Sequence, residues 1–176
     1  TTVSNDPSGD SRTLFPLQAA LGYDLAQSLF VGPNNLVVEG VTDYWALSSI
    51  SEHLASNGGG SLRDDITITP AGGAQKIPYM VALLSSEQLN VLALLDHEKD
   101  AEATRDDLVK SKLIDGRNVI FVSEAYSAGT PKEADIEDLL DPSVYEGLVR
   151  ESYAKELDGV TLSVNGKIPR IAKRFE

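Results

Sequence analysis

The sequence has 176 residues, 41% of them hydrophobic and 24% charged, which is typical of one globular domain with an appendage. It contains no cysteine, which excludes disulfides, thiolate zinc sites and cysteine nucleophiles and leaves hard metals with oxygen ligands. The net charge of -12 has the wrong sign for broad neutralisation of phosphates, so chemistry on nucleic acid would require recruited cations.

The sequence shows no membrane or secretion signal. No apolar run approaches the roughly 18 to 20 residues that span a bilayer, and the polar start TTVSNDPSGDSRT is unlike a signal peptide. We therefore expect a cytoplasmic protein with no membrane partner. The chain begins without Met on a stretch rich in Thr, Ser, Asp and Pro, so we expect it to be a segment of a longer protein.

Helical and strand patterns alternate along the chain. Apolar spacing first predicts a helix over residues 14–31. Runs with β-branched residues then predict four strands, at 35–40, 65–70, 90–96 and 118–124. Helices are predicted between and after them, at 42–56, 77–86, 100–113 and, with a break near Pro142, 135–157. A basic segment, GKIPRIAKRF, closes the chain.

This alternation predicts an α/β fold, with a central parallel sheet flanked by helices. Ligands of such sheets bind at the carboxyl ends of the strands, where the strand order reverses. If the first and third strands are neighbours, as in a flavodoxin-like order, the acids at their ends, Glu39 and Asp96, converge. We also expect Tyr44 and Trp45 to pack the helix that follows Glu39 onto the sheet.

Two pairs of carboxylates follow predicted strands. Glu39 and Asp43 lie four residues apart across a strand-to-helix turn, so both can reach one cation, and Gly40 between them allows a tight turn. Asp96 and Glu98 lie two residues apart, which in extended chain directs both side chains to the same side. Mg²⁺ and Mn²⁺ prefer such oxygen ligands, and a solvated loop is the alternative interpretation of the second pair.

Two further features remain open on the residues alone. Glu137 or Asp138 is a third candidate ligand, although acids near a helix start also stabilise the helix dipole. His97, between the two acids of the second pair, can contact a metal or DNA, and an exposed loop histidine is the favoured interpretation.

The segment LVVEGVTDYWAL followed by VLALLDHE resembles the Toprim pattern, an E-G motif and then a D-x-D motif. The flanking PAGGAQKIP, NVIFVSE and EADIEDLL segments and a late basic helix are similar to the overcoming-lysogenization-defect (OLD) nucleases. The resemblance covers residues 33–141, with a weaker match at the end. It implies a Toprim catalytic domain there, and we expect residues 1–32 and 142–176 to form a small helical subdomain.

The family resemblance also implies an activity and partners. Toprim regions of OLD nucleases follow an ABC-type ATPase and cleave DNA with two metal ions. No GxxxxGK[ST] motif occurs in this sequence, so the resemblance is to the carboxy-terminal nuclease region alone. It implies two Mg²⁺ or Mn²⁺ ions, no organic cofactor, DNA as substrate, and the ATPase region and a helicase as partners, in phage defence.

Site roles follow from the same resemblance. Glu39, Asp43 and an acid of the Glu137–Asp138 pair would hold one metal, and Asp96 and Glu98 the second. Glu98 departs from the pattern, which has Asp there. Glutamate is a longer but competent ligand, so the departure bears on metal distance or preference rather than on binding itself.

Such enzymes place a basic residue near the scissile phosphate. Lys167 is the first candidate for that role and Lys173 the second, and a solvated basic face formed by Lys167, Arg170, Lys173 and Arg174 is the alternative. The backbone N–H groups of Gly72 and Gly73 can bind phosphate at a helix start, or the two glycines form an ordinary turn.

The favoured hypothesis is a metal-dependent deoxyribonuclease, in which one metal activates water and the second stabilises the leaving oxygen. A receiver-like domain is the first alternative, with Asp96 accepting a phosphate and Ser123 nearby, although receivers carry adjacent acids after the first strand. A non-catalytic Toprim scaffold of recombination complexes is the second alternative. The full set of acids argues against that scaffold.

Overall fold

The computed structural model describes residues 32–126, 130–158 and 164–175. Its strands are β1 (Asn34–Val38), β2 (Ile66–Pro70), β3 (Asn90–Leu95) and β4 (Val119–Phe121). Its α-helices are α1 (Val41–Ser56), α2 (Ile77–Ser86), α3 (Ala101–Lys110) and α4 (Pro142–Ser152). Short 3₁₀ helices cover Ala74–Lys76, Gly116–Asn118, Val122–Ala125, Ile136–Leu139 and Ala172–Arg174. The helix predicted over residues 14–31 lies outside the described ranges.

The strands form one parallel sheet in the order β2-β1-β3-β4. β1 pairs with β2 from Asn34↔Ile66 to Val38↔Pro70, and with β3 from Asn34↔Asn90 to Val37↔Ala93. The predicted α/β class is confirmed, and β1 and β3 are neighbours, as the condition for the convergence of their terminal acids required. The strand order reverses between these two strands, which makes their carboxyl ends the switch point of the sheet.

Buried aliphatic residues on the central strands and on α2 form the core around the sheet. β1 contributes Val37 and Val38, each fully buried, because a central parallel strand is covered on both faces. α2 buries Ile77, Val81 and Leu84 and packs on β3 and β1. α1 packs on β2 and β1 instead. Crossovers between parallel strands are right-handed as a rule, and these two run in opposite directions along the sheet, which places α1 and α2 on opposite faces.

Helix α1 carries several of its large apolar side chains in solvent. Trp45 is 61% exposed, so the prediction that it packs this helix onto the sheet is wrong. Tyr44 is 38% exposed and lines a pocket with Ile66, Thr67 and Pro70 of β2. The helix buries Asp43 instead, in its first turn.

The chain divides into two compact units. The first comprises residues up to Leu95 together with Glu102–Ile120, and the second comprises Asp96–Ala101 and Phe121–Glu176. The assignment of 33–141 as a catalytic domain and of 1–32 with 142–176 as a helical subdomain stays a prediction. Within the described ranges, no helix has the length and apolar character needed to cross a membrane.

The second unit has less α-helix than the sequence predicted. The break near Pro142 is confirmed, because α4 begins there and the Asp141 side chain caps it by accepting from Ser143 N at 2.8 Å. Ahead of this cap, Ile136–Leu139 is a 3₁₀ helix, and the expected late basic helix is reduced to Ala172–Arg174.

Candidate metal site

A short antiparallel bridge in the second unit joins two acidic segments. His97 N donates to Ala134 O at 2.8 Å, and Ala134 N donates to His97 O at 3.0 Å. Side chains alternate along such paired segments, so the residues flanking His97 and Ala134 project from the opposite face to these two. Asp96 and Glu98 flank His97, and Asp135 follows Ala134, so the bridge brings three carboxylates together.

One carboxylate oxygen from each of Asp96, Glu98 and Asp135 lies within 4.8 Å of the other two. We call these three residues the acid group. Oxygens around an octahedral Mg²⁺ are about 3–4 Å apart when each bond is about 2.0–2.1 Å. Small side-chain adjustments would therefore let the acid group hold one divalent ion, with Asp135 buried, Asp96 half-buried and Glu98 exposed.

The state of Asp135 supports a cation at this position. Its side chain is 4% exposed, and its Oδ1 atom has no hydrogen-bond partner within the described part of the chain. Burial raises the pKa of Asp135, and the neighbouring Arg170 opposes that rise. A buried carboxylate oxygen without a donor is costly, and a divalent ion would satisfy it. The all-oxygen donor set fits Mg²⁺ or Mn²⁺.

Arg170 binds two members of the acid group. Its Nη2 lies 2.8 Å from Glu98 Oε1, and its Nε donates to Asp135 Oδ2 at 2.5 Å. The residue is 8% exposed. The interpretation of Arg170 as part of a solvated basic face is therefore wrong. Its position between proline and isoleucine in an apolar stretch is the one sequence signal that could have indicated burial.

Asp138 ties the acid group to the end of the chain. Its Oδ2 accepts from Asp135 N at 2.8 Å, and its Oδ1 accepts from Ile171 N at 2.5 Å. Tyr126 Oη also donates to the Asp138 carbonyl at 2.7 Å. The structure brings Asp135 to the acid group from the segment in which Glu137 or Asp138 was expected to ligate, and ligation by those two acids stays a prediction.

His97 is half-buried, so the favoured interpretation of an exposed loop histidine is wrong. Its Nδ1 is hydrogen-bonded to Ser123 Oγ at 2.6 Å, and Ser123 is fully buried. Its ring stacks on Phe121 with the ring centres 4.7 Å apart and the planes 16° apart. These contacts anchor the residue whose backbone pairs with Ala134, on the face away from the acids.

Glu39 and Asp43 belong to the first unit. Asp43 is 8% exposed in the first turn of α1, where its Oδ2 accepts from Gly40 N at 2.7 Å. Burial raises the pKa of Asp43, and backbone hydrogen bonds from Gly40 and Glu39 oppose the rise. Gly40 has an extended backbone with φ -129, and a Cβ there would meet nothing closer than 3.4 Å. The turn at this position is therefore open to residues other than glycine.

The two glycines after β2 hold the backbone of Glu39. Gly72 N and Gly73 N donate to Glu39 O at 3.0 and 2.7 Å. Their φ values of +82 and +125 favour glycine, and this backbone directs both N–H groups at one carbonyl. These N–H groups were expected to face a phosphate, but they bind a protein carbonyl. This matches the alternative interpretation, in which the two glycines form an ordinary turn.

Lys167 and Lys173 both lie exposed in the second unit. Lys167 follows a turn in which its backbone N donates to Asn165 Oδ1 at 3.2 Å. The basic side chain that the structure places on the acid group is Arg170. A phosphate contact by either lysine stays a prediction.

Comparison with protein-family models matched residues 33–97 to the family described as "Overcoming lysogenization defect protein-like, TOPRIM domain". The matched segment contains Glu39, Asp43 and Asp96, and it ends one residue before Glu98. Comparisons with curated proteins and with solved structures gave no significant match.

Proposed function

Residues 33–97 are a Toprim domain of the overcoming-lysogenization-defect-like type, and from this premise we propose that the chain is a metal-dependent deoxyribonuclease region. Toprim domains bind divalent metals and generally act on phosphodiester bonds. We propose DNA as the substrate, hydrolysis as the reaction and two metal ions as the cofactors.

The acid group is the observation that carries this proposal. Its three carboxylate oxygens lie within 4.8 Å of one another, and the buried Asp135 Oδ1 has no partner among the residues that the structure describes. A solvated acidic loop would not bury a carboxylate beside two others at the cost of desolvation. A cation that recruits a phosphate would also account for nucleic-acid chemistry on a chain with net charge -12.

We propose a role for each residue of the site, either as a metal ligand or as a residue that positions the ligands. Asp96, Glu98 and Asp135 would hold one ion in the second unit, and Glu39 and Asp43 would hold another from the first. Ions bound there would lower the pKa of a water nucleophile and offset charge on the phosphate. The His97–Ala134 bridge and the two hydrogen bonds to Asp138 fix the backbones that carry the acid group.

Further parts of the proposal concern the longer protein. By analogy with the family, we propose that an ABC-type ATPase region precedes this chain, that a helicase is a partner, and that the assembly acts in phage defence. These partners would supply the DNA binding that a strongly acidic chain lacks, and they would regulate cleavage.

Plasmid cleavage tests the proposed activity. Purified chain is incubated with supercoiled plasmid and Mg²⁺, Mn²⁺ or Ca²⁺, with Asp96→Ala and Asp135→Ala as test variants. Glu151→Ala is the matched control, because Glu151 is an exposed acid of the same unit that lies on α4, outside the acid group. We expect nicking or linearisation by wild type and the control, reduced by at least about 100-fold in both test variants.

Intact plasmid with every metal, at high protein concentration, would contradict the nuclease proposal. The receiver alternative has its own test, since acetyl phosphate would then label Asp96. Labelling of Asp96 together with intact plasmid would favour the receiver.

A further inference from the structure

The guanidinium of Arg170 binds two of the three carboxylates of the acid group. It contacts Glu98 Oε1 at 2.8 Å and Asp135 Oδ2 at 2.5 Å, while Asp135 Oδ1 stays without a partner in the described residues. A planar guanidinium suits such bridging, because its N–H donors form a rigid fork that matches carboxylate oxygens. Arg170 thus neutralises part of the charge that a metal would otherwise neutralise.

The backbone around Arg170 is held on both sides. Ile171 N donates to Asp138 Oδ1 at 2.5 Å. The Arg174 guanidinium donates to the carbonyls of Ile168 and Pro169 at 2.7 and 2.9 Å. Since Arg170 is itself 8% exposed, its approach to the acid group is fixed by the fold and differs from that of a surface arginine that happens to meet an acid.

Arg170 and a divalent ion both carry positive charge, and this determines how each affects the binding of the other. A divalent ion bound to the acid group would meet the positive guanidinium at close range, and both would interact with the carboxylates of Glu98 and Asp135. Buried charges of the same sign repel strongly, although the exposure of Glu98 reduces the effect through solvent screening.

We propose that Arg170 is a built-in competitor of the divalent ion: it occupies Glu98 and Asp135 when the ion is absent and lowers the affinity of the acid group for it. This inference rests on the proposed function for the metal site and adds its regulation. Binding of the ion releases the guanidinium from at least one carboxylate. The affinity of the acid group for the divalent ion is therefore lower than three converging carboxylates would give without Arg170.

Calorimetric titration with Mn²⁺ tests the competition on the whole chain, without any need for cleavage. The test variant is Arg170→Gln, which removes the charge and keeps a polar side chain. Lys155→Gln is the matched control, because it removes the same charge from an exposed site of the same unit that has no part in the proposed site. Arg170→Lys is the conservative variant, which keeps the charge but loses the fork.

We expect Arg170→Gln to bind Mn²⁺ about 10- to 100-fold more tightly than wild type. The Mn²⁺ affinity of Lys155→Gln should stay within about twofold of wild type at physiological salt, because exposed charges are screened. The Mn²⁺ affinity of Arg170→Lys should lie between those of wild type and Arg170→Gln. If Arg170→Gln does not fold, Arg170→Lys provides the test. In wild type, Mg²⁺ should shift the Nε–H resonance of Arg170.

Unchanged or weaker Mn²⁺ binding in folded Arg170→Gln and Arg170→Lys would overturn the competition and leave Arg170 as a structural ion pair. Absence of Mn²⁺ binding in wild type and all variants would overturn it as well, together with the metal site. Tighter binding in Arg170→Gln by a protein that cuts no plasmid would support the competition and contradict the nuclease proposal.

Discussion

Replacement of Asp135 by alanine removes the most buried member of the acid group and one partner of Arg170. Breaking a buried ion pair by removing one partner costs about 3–5 kcal/mol. Two features reduce that figure here. Arg170 keeps its contact with Glu98 at 2.8 Å, and Asp135 itself is destabilised by burial, as the rise in its pKa indicates. We therefore expect a loss of about 1–3 kcal/mol in unfolding free energy at neutral pH.

Asp135→Asn separates the structural role of this side chain from its role as a ligand. The amide oxygen can still accept from Arg170 Nε, so we expect a loss below about 1 kcal/mol without metal. Binding of an ion to the folded state adds about 2.7 kcal/mol at a concentration one hundred times its dissociation constant. Wild type should gain this amount from Mn²⁺, and both Asp135 variants should gain far less.

Urea unfolding with EDTA and with Mn²⁺ measures both effects on the same samples. The expected order of stability in EDTA is wild type, then Asp135→Asn, then Asp135→Ala. If Asp135→Asn gained as much stability from Mn²⁺ as wild type does, Asp135 would not be a ligand. If Asp135→Ala matched wild type in EDTA, the ion pair with Arg170 would carry no stability.

Three further predictions concern the residues that support the two acidic segments. Gly73→Ala should destabilise the protein by about 1–3 kcal/mol, because φ +125 is strained for any residue with a Cβ; an unchanged urea midpoint would contradict this. Ser123→Ala should cost about 1–2 kcal/mol by removing the buried partner of His97, and it should weaken Mn²⁺ binding in calorimetry; unaltered binding would show that His97 needs no anchor. Asp43→Asn should be more stable than wild type at pH 7. Because burial raises the pKa of Asp43, its contribution to stability is complete below the ordinary value of 3.8 and is lost as pH rises through the higher folded value. The advantage of Asp43→Asn should therefore shrink in acid, and urea unfolding at several pH values measures it; a constant difference would refute the cause assigned to the shift.

The parallel sheet was predictable because it follows from local patterns. Short β-branched runs separated by helical spacing identify parallel strands, and the crossover rules leave few orders. The adjacency of β1 and β3 was considered as one such order, and it is observed. Exposure of Trp45 was not predictable, because a large apolar residue indicates burial only if another element covers its face of the helix.

The acid group was predictable in part. Asp96 and Glu98 were identified by their position after a strand and by their spacing. Asp135 was missed because a single bridge between His97 and Ala134, distant in sequence, brings it there, and no local pattern encodes that pairing. Arg170 was missed for the same reason: its role depends on tertiary contacts with Glu98 and Asp135.

The most direct test of the metal site is a crystal structure of the chain with Mn²⁺, using anomalous scattering to locate the ion. We predict an anomalous peak about 2.0–2.6 Å from carboxylate oxygens of Asp96, Glu98 and Asp135, with Arg170 withdrawn from at least one of its acids. No peak at the acid group, with Arg170 still bridging Glu98 and Asp135 at a Mn²⁺ concentration that supports plasmid cleavage, would contradict the assignment.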